Sequence, residues 1–246
     1  MGRGCICHAA YPPFRWVPCH GTHDRRTSRR LDCGELTLPY GVRKGEHTMA
    51  MTLLGISGSL TRGGSTRTVI ECALQAAQAA VPEVTTRVLD LRDVTLSFCD
   101  GRPLHEYTDD TARAVESIQA ADAYIIGTPM YRGTYTGSLK NLLDHVPVEA
   151  LMGKVAGLIA TGGSDHHYLG IDVGLRPVLM WFNMHLVPGS VYVRSHDIQG
   201  GAVTDAPTRE HLEQLGVAVA TLQQRLQGAP MGPPPLSLLA QRRPSA

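Results

Sequence analysis

The chain has 246 residues and a mass of 26.6 kDa, is 43% hydrophobic and 18% charged, and carries a formal net charge of +1 with a pI near 7.7. This composition suits one well-filled globular core and gives no overall attraction for nucleic acid or an anionic membrane. No apolar run reaches the ~18 residues of a spanning helix, and the N-terminus lacks the basic, apolar, small-residue order of a signal peptide, so a soluble cytoplasmic protein is expected.

Residues 1–48 show no sustained period of two or 3.6 and no apolar face. They are expected to be a disordered arm, or a stretch upstream of a true start at Met49 or Met51. Cys5, Cys7, Cys19 and Cys33 crowd there with His8, His20 and His23, but gaps of 11 and 13 residues after the CxC pair are not a zinc-finger or ribbon spacing, so no metal is expected. Cys72 and Cys99 fall in patterned sequence and read as small buried or half-buried side chains.

From residue 49 the pattern alternates. "TLLGIS" (52–57) is an apolar strand run, "STRTVIECALQAAQAA" (65–80) has helical spacing, and "TTRVLDL" (85–91) alternates as a strand. A helix over 110–121 precedes a buried strand at "AYIIGTP" (123–129), and an amphipathic helix follows at 137–146. A strand at "KVAGLIAT" (154–161), a helix near 168–183, a strand around "LVPGSVYV" (186–193) and a helix over 206–226 complete the pattern. Apolar strands separated by helices imply a parallel sheet covered on both faces, a doubly wound α/β domain over 49–227. Five strands make the flavodoxin-like order 2-1-3-4-5 the first choice, with ligands at the carboxyl ends of the strands. The Pro-rich residues 228–246 are expected to be a disordered tail or a subunit-contacting arm.

The loop "GISGSLTRGGSTRT" (55–68) leads from the first strand into the first helix, where amide N–H groups and the helix dipole attract an anion. Its glycines miss the GxGxxG spacing, Gly64 stands where a Walker loop needs Lys, and Ser59 stands where a nucleophile elbow needs its last glycine. What remains is a hydroxyl-rich stretch beside Arg62 and Arg67, suited to a phosphomonoester held without metal. The alternative is a Gly/Ser turn that only caps the helix. After the third strand, Thr128 to Tyr131 offer backbone groups and an apolar, aromatic wall to a planar heterocycle, or form an ordinary turn with Tyr131 packed on the next helix. Lys140 and Asp144 read as a surface pair. After the fourth strand, Gly162 and Gly163 allow close backbone approach, and Ser164 or Asp165 is placed to cap a helix. Asp165-His166-His167 lacks a third ligand at metal spacing, and a loop histidine near a bound ring's edge is the better reading.

Together these loops resemble the NAD(P)H-dependent FMN reductase family of flavodoxin-like proteins, especially the reductase partners of two-component sulfonate monooxygenases. The residues that carry the resemblance are Gly58, Ser59, Ser65 and Thr68, then "PMYRGTYTGSLKNLLD" (129–144), then Thr161-Gly162-Gly163. It implies FMN phosphate at Ser59, Ser65, Thr66 and Arg67, with Ser57 and Arg62 in the same loop. The isoalloxazine would lie against Pro129, Met130 and Tyr131 beside Thr128, with the Thr161-Gly162-Gly163 turn approaching its polar edge. Tyr135 matches an aromatic residue that, in the sulfonate-type reductases, sits in a widened helical turn near the subunit interface and goes with loose flavin retention. The resemblance further implies NADPH or NADH as co-substrate, no catalytic side-chain acid, a homodimer or homotetramer with the 137–146 helix in its interface, and delivery of reduced flavin to a flavin-dependent monooxygenase. Three other readings stay open: a flavoenzyme with bound FMN reducing quinones, azo dyes or metal oxyanions, a flavodoxin-type electron carrier, and a Ser57–His166 hydrolase.

Overall fold

The computed structural model describes residues 50–233. The expected N-terminal arm, its cysteines and histidines, and the last part of the tail lie outside the described residues. β1 (Met51–Ser57), β2 (Val84–Asp90), β3 (Ala123–Pro129) and β4 (Val155–Gly162) are parallel neighbours in the order β2-β1-β3-β4. Beyond β4 the fifth position is filled by two short segments, β5 (His185–Leu186) and β6 (Val191–Arg194), each parallel to β4. The single strand expected over 186–193 is therefore interrupted, at a stretch where Pro188 has no N–H to give to a ladder. The flavodoxin-like order 2-1-3-4-5 holds with that break.

The helices are α1 (Thr66–Ala80), α2 (Thr111–Gln119), α3 (Gly137–Asp144), the single turn α4 (Val148–Leu151), α5 (Gly170–Trp181) and α6 (Ala206–Leu226). Alternation along the strands divides the core. Leu53, Ile125 and Ile159 face α1 and α6, whereas Leu54, Ile126 and Leu158 face α2, α3 and α5. α1 sits close to the sheet because a Cβ at Gly127 would lie 2.7 Å from Ile70 and 3.2 Å from Thr66. This close approach brings the first turn of α1 down onto the strand ends. A hairpin of β7 (Ile198–Gln199) and β8 (Ala202–Val203), turned at Gly200 and Gly201 with positive φ, follows β6. Two-residue turns of this kind need two residues tolerant of positive φ.

Past α6 the chain turns through Gln227 and Gly228, both at positive φ, and the Ala229 carbonyl lies 3.0 Å from Nε2 of His185. Among the described residues no helix is long and apolar enough to cross a membrane.

Candidate functional site

The carboxyl ends of β1, β3, β4 and β6 converge on an open cleft of about 210 Å³. Its first wall is the loop after β1, through Ser59, Thr61, Gly64, Ser65 and Thr66. The loop's base is tied down from two sides. Gly58 N–H donates to the Gly127 carbonyl on β3 (2.8 Å), and the Gly58 carbonyl accepts the hydroxyls of Thr136 (2.7 Å) and Ser138 (3.0 Å). Thr136 is also the N-cap of α3, accepting from Leu139 N–H, so the cap and the loop share one hydroxyl. The tip is a turn in which Gly64 N–H donates to the Thr61 carbonyl (3.1 Å). Gly63 stands third in that turn with φ 72°, the position at which a type II turn needs glycine.

At the head of α1, Ser65 makes no side-chain cap and no acidic residue occupies the first turn. The leading amides of a 15-residue helix thus point toward the loop with no side chain competing for them, an arrangement that favours an anion. Thr66 and Thr161 hydroxyls, 3.1 Å apart and buried, form the floor between α1 and β4.

The second wall is Pro129, Met130 and Tyr131. Tyr131 and Thr134 exchange backbone hydrogen bonds (2.9 and 3.2 Å) around Arg132 and Gly133, both at positive φ. That hairpin turn holds Tyr131 half out of the protein, 51% exposed, with its hydroxyl 3.0 Å from Thr61 Oγ1 across the cleft. Met130 N–H donates to the Thr161 carbonyl (2.8 Å), joining this wall to the next. The third side is Thr161, Gly162 and Gly163 with Ser195. Tyr192 on β6 donates to the Ser164 carbonyl (2.6 Å) and Ser195 to the Gly162 carbonyl (3.4 Å), so the strand that completes the sheet also steadies the glycine turn. Burial and the nearby Asp165 charge push the Tyr192 phenol up, keeping it a donor.

The sequence-derived site residues divide into two groups. Ser59, Ser65, Thr66, Pro129, Met130, Tyr131, Thr161, Gly162 and Gly163 line the cleft; Ser57, Arg62, Arg67 and Thr128 do not. Ser57 is fully buried at the strand end, with no hydrogen-bond partner for its hydroxyl among the described residues. Arg62 is exposed at the turn. Arg67 turns away along α1 to Glu71 (2.8 Å), Asp93 (3.5 Å) and Asp90 (3.9 Å). Three carboxylates outcompete the loop for its guanidinium. Thr128 is buried and spends its hydroxyl on Pro129 and Thr136.

Several other expectations need correction. Tyr135 lies in the loop before α3, which starts only at Gly137, so there is no widened helical turn; its ring packs beside Gly174 of α5. Asp165–His167 form a 3-10 turn with exposed side chains, and α5 begins at Gly170 without a Ser164 or Asp165 side-chain cap. His166 and His167 do not line the cleft, and the described residues contain no cluster able to hold a metal. The buried Ser57 and exposed His166 remove the hydrolase reading. Cys99 is exposed rather than buried or half-buried, whereas Cys72 is half-buried.

The cleft also takes in Thr61, Gly64 and Ser195, which sequence reasoning did not assign to the site. The first two belong to the quoted loop, and Ser195 could have been found by extending the reading of strand-end loops to the last strand. Larger hollows lie elsewhere. An apolar groove of about 700 Å³ runs along α6, and an apolar recess of about 510 Å³ lies between Leu60 and Phe98. The lining of both is mostly apolar, and the groove along α6 carries the carboxylates of Glu210 and Glu213, which disfavour an anion, whereas the smaller cleft is lined largely by hydroxyl and backbone groups.

The cleft lining is hydroxyl groups, glycine backbone and an apolar shelf, with no carboxylate among the described residues of the lining to repel an anion. That donor set fits a phosphate joined to a flat ring. Its volume is below the ~300–1,000 Å³ of pockets that enclose a whole ligand, so the ring of such a ligand would keep one face toward solvent.

Known proteins resemble this chain in sequence and in fold. Residues 51–199 match the family model of NADPH-dependent FMN reductases. An NAD(P)H-dependent FAD/FMN reductase of Geobacillus thermodenitrificans is 41% identical over 177 residues, covering 72% of this chain and 95% of that protein. The NADH-dependent FMN reductase SfnF of Pseudomonas putida is 29% identical, covering 69% and 91%. Among solved structures, the apo form of the NADH:FMN oxidoreductase EmoB superposes with a TM-score of 0.58 at 29% identity, covering 74% of this chain and 97% of that one.

Proposed function

The chain belongs to the NADPH-dependent FMN reductase family and is an NAD(P)H:FMN oxidoreductase; from that premise we propose that the strand-end cleft is its flavin site and that it hands reduced FMN to a separate flavin-dependent monooxygenase. The observation that carries the site is the meeting of an uncapped α1 N-terminus and a hydroxyl-rich loop with an apolar shelf one loop away. FMN, when bound, accepts the hydride and supplies the redox chemistry. The chain's own groups then have simple tasks. Ser59, Thr61, Ser65, Thr66 and the leading amides of α1 hold the phosphate; Pro129, Met130 and Tyr131 support one ring face; the Gly162-Gly163 turn meets the ring's polar edge. No side chain has to exchange a proton in the hydride step.

Release of reduced flavin is supported by the open, small cleft, and a role beside a monooxygenase by the resemblance of the loops to the reductase partners of two-component sulfonate monooxygenases. Assembly into a homodimer or homotetramer is supported by Leu169, Val173, Met180 and Trp181, all exposed on or beside α5. The test is steady-state NADPH and NADH oxidation by the full chain at varied FMN. Rates that saturate with added FMN, with a colourless protein, support flavin as substrate. A yellow protein that turns over only on added quinone or dye would overturn delivery and assign flavin as a bound group.

A further inference from the structure

The first loop has a support outside the cleft that no cleft residue explains. Asp90 is the last residue of β2, paired in register with Ser57 of β1, and is almost fully buried. Its carboxylate takes three hydrogen bonds from Arg92: Oδ1 accepts the backbone N–H (3.1 Å) and Nε (3.0 Å), and Oδ2 accepts Nη2 (2.5 Å). This fixes the plane of the guanidinium. Its remaining arm, Nη1, donates to the Thr61 carbonyl (3.4 Å), the oxygen that also closes the Thr61–Gly64 turn. The same Thr61 holds Tyr131 across the cleft, and its N–H donates to Ser59 Oγ (3.2 Å).

We propose that Arg92, oriented by Asp90, is a positioning residue for the flavin phosphate: it braces the Thr61–Gly64 turn from behind and so sets how tightly the loop grips the phosphate without touching the flavin. This rests on the assignment of that loop to phosphate. A forked guanidinium suits the task because it can hold a carboxylate with two nitrogens and still present a third donor, which an ammonium on a flexible stem cannot do in fixed geometry. Arg67, the arginine expected at the phosphate, is instead the second cation of this carboxylate cluster, reaching Asp90 at 3.9 Å.

The test compares FMN with riboflavin, which has the same ring and no phosphate. Dissociation constants for both, KM and kcat with FMN, and melting temperature are measured on the full-length wild type, Arg92→Ala, Arg92→Lys and Asp90→Asn. For Arg92→Ala, FMN binding is expected to weaken about tenfold, as for loss of one hydrogen bond to a held loop. KM for FMN should rise in step, with kcat at saturating FMN and riboflavin affinity within about twofold. Lys should restore only part of the loss. Asp90→Asn should reproduce it if it folds, and the Arg92 variants decide the matter if it does not. A wild type that prefers FMN, paired with an Arg92→Ala variant of unchanged FMN affinity or of equal loss for both flavins, would overturn the brace alone. A wild type that binds FMN and riboflavin equally would overturn the phosphate assignment, and the brace with it.

Discussion

Gly64 offers a sharp perturbation of the cleft, because a single methyl group there has nowhere to go. A Cβ at this position would stand 2.9 Å from the Thr61 carbonyl oxygen and 3.2 Å from Ser59 Oγ. Ordinary contact needs about 3.5 Å, so in Gly64→Ala the turn must open by roughly 0.5 Å. Opening it weakens the 3.1 Å hydrogen bond between Gly64 N–H and Thr61 and swings Thr61 and Ser59 off their positions. Global stability should hardly change, since the turn is exposed and contributes nothing to the core. The phosphate grip should suffer: a hydrogen bond to a charged group is worth about 1.5–3 kcal/mol, so losing one such contact weakens FMN binding about 10- to 100-fold. Quenching of flavin fluorescence during titration measures this directly. Gly137→Ala is the control, because its Cβ meets nothing within 4 Å. FMN affinity within twofold of wild type in Gly64→Ala would refute the reasoning.

Other parts of the structure make separate demands. Thr161→Val should leave the buried Thr66 hydroxyl without its 3.1 Å partner, costing about 1–3 kcal/mol in urea denaturation; an unchanged midpoint would contradict the role of that pair. Gly216→Ala should cost about 3 kcal/mol, because the new Cβ would overlap the Ala73 carbonyl where α6 crosses α1; a variant as stable as wild type would show the helices can part freely. Burial pushes the Asp90 carboxyl up, but hydrogen bonds from the Arg92 side chain and backbone and the charges of Arg92 and Arg67 outweigh it, leaving it below the usual carboxylate range. Its stabilising contribution is then complete above the unfolded value near pH ~3.9 and lost as pH falls through the lower folded value. Asp90→Asn should accordingly flatten the acid limb of the stability curve below about pH 4, and parallel curves for the two proteins would contradict this.

The strands and helices are readable in the sequence because apolar runs such as 123–129 and the long amphipathic stretch 206–226 carry their own periodicity. The two βα loops with glycine and hydroxyl residues are readable because strand-end position and residue chemistry coincide. The arginines are not. Arg62 and Arg67 sit in the right loop, yet Arg62 stays exposed at the turn and Arg67 is drawn to Glu71 on its own helix and to Asp90 and Asp93; the last two are brought in by β2 and the loop after it, which local sequence does not reveal. Asp90 and Arg92 belong to "LDLRD" (89–93), a charged run at a strand's carboxyl end, and only the pairing of β1 with β2 places that run behind the phosphate loop. The break between β5 and β6 has a local signal in Pro188-Gly189, whereas the displacement of Tyr135 from the helix follows from where Thr136 caps α3.

A crystal structure of the full chain with FMN bears most directly on the account. Flavin density with its phosphate among Ser59, Thr61, Ser65 and Thr66, and its ring between the Pro129–Tyr131 shelf and the Gly162-Gly163 turn, is the expected result. Ordered flavin in the α6 groove or the recess beside Phe98, with the strand-end cleft empty, would contradict it.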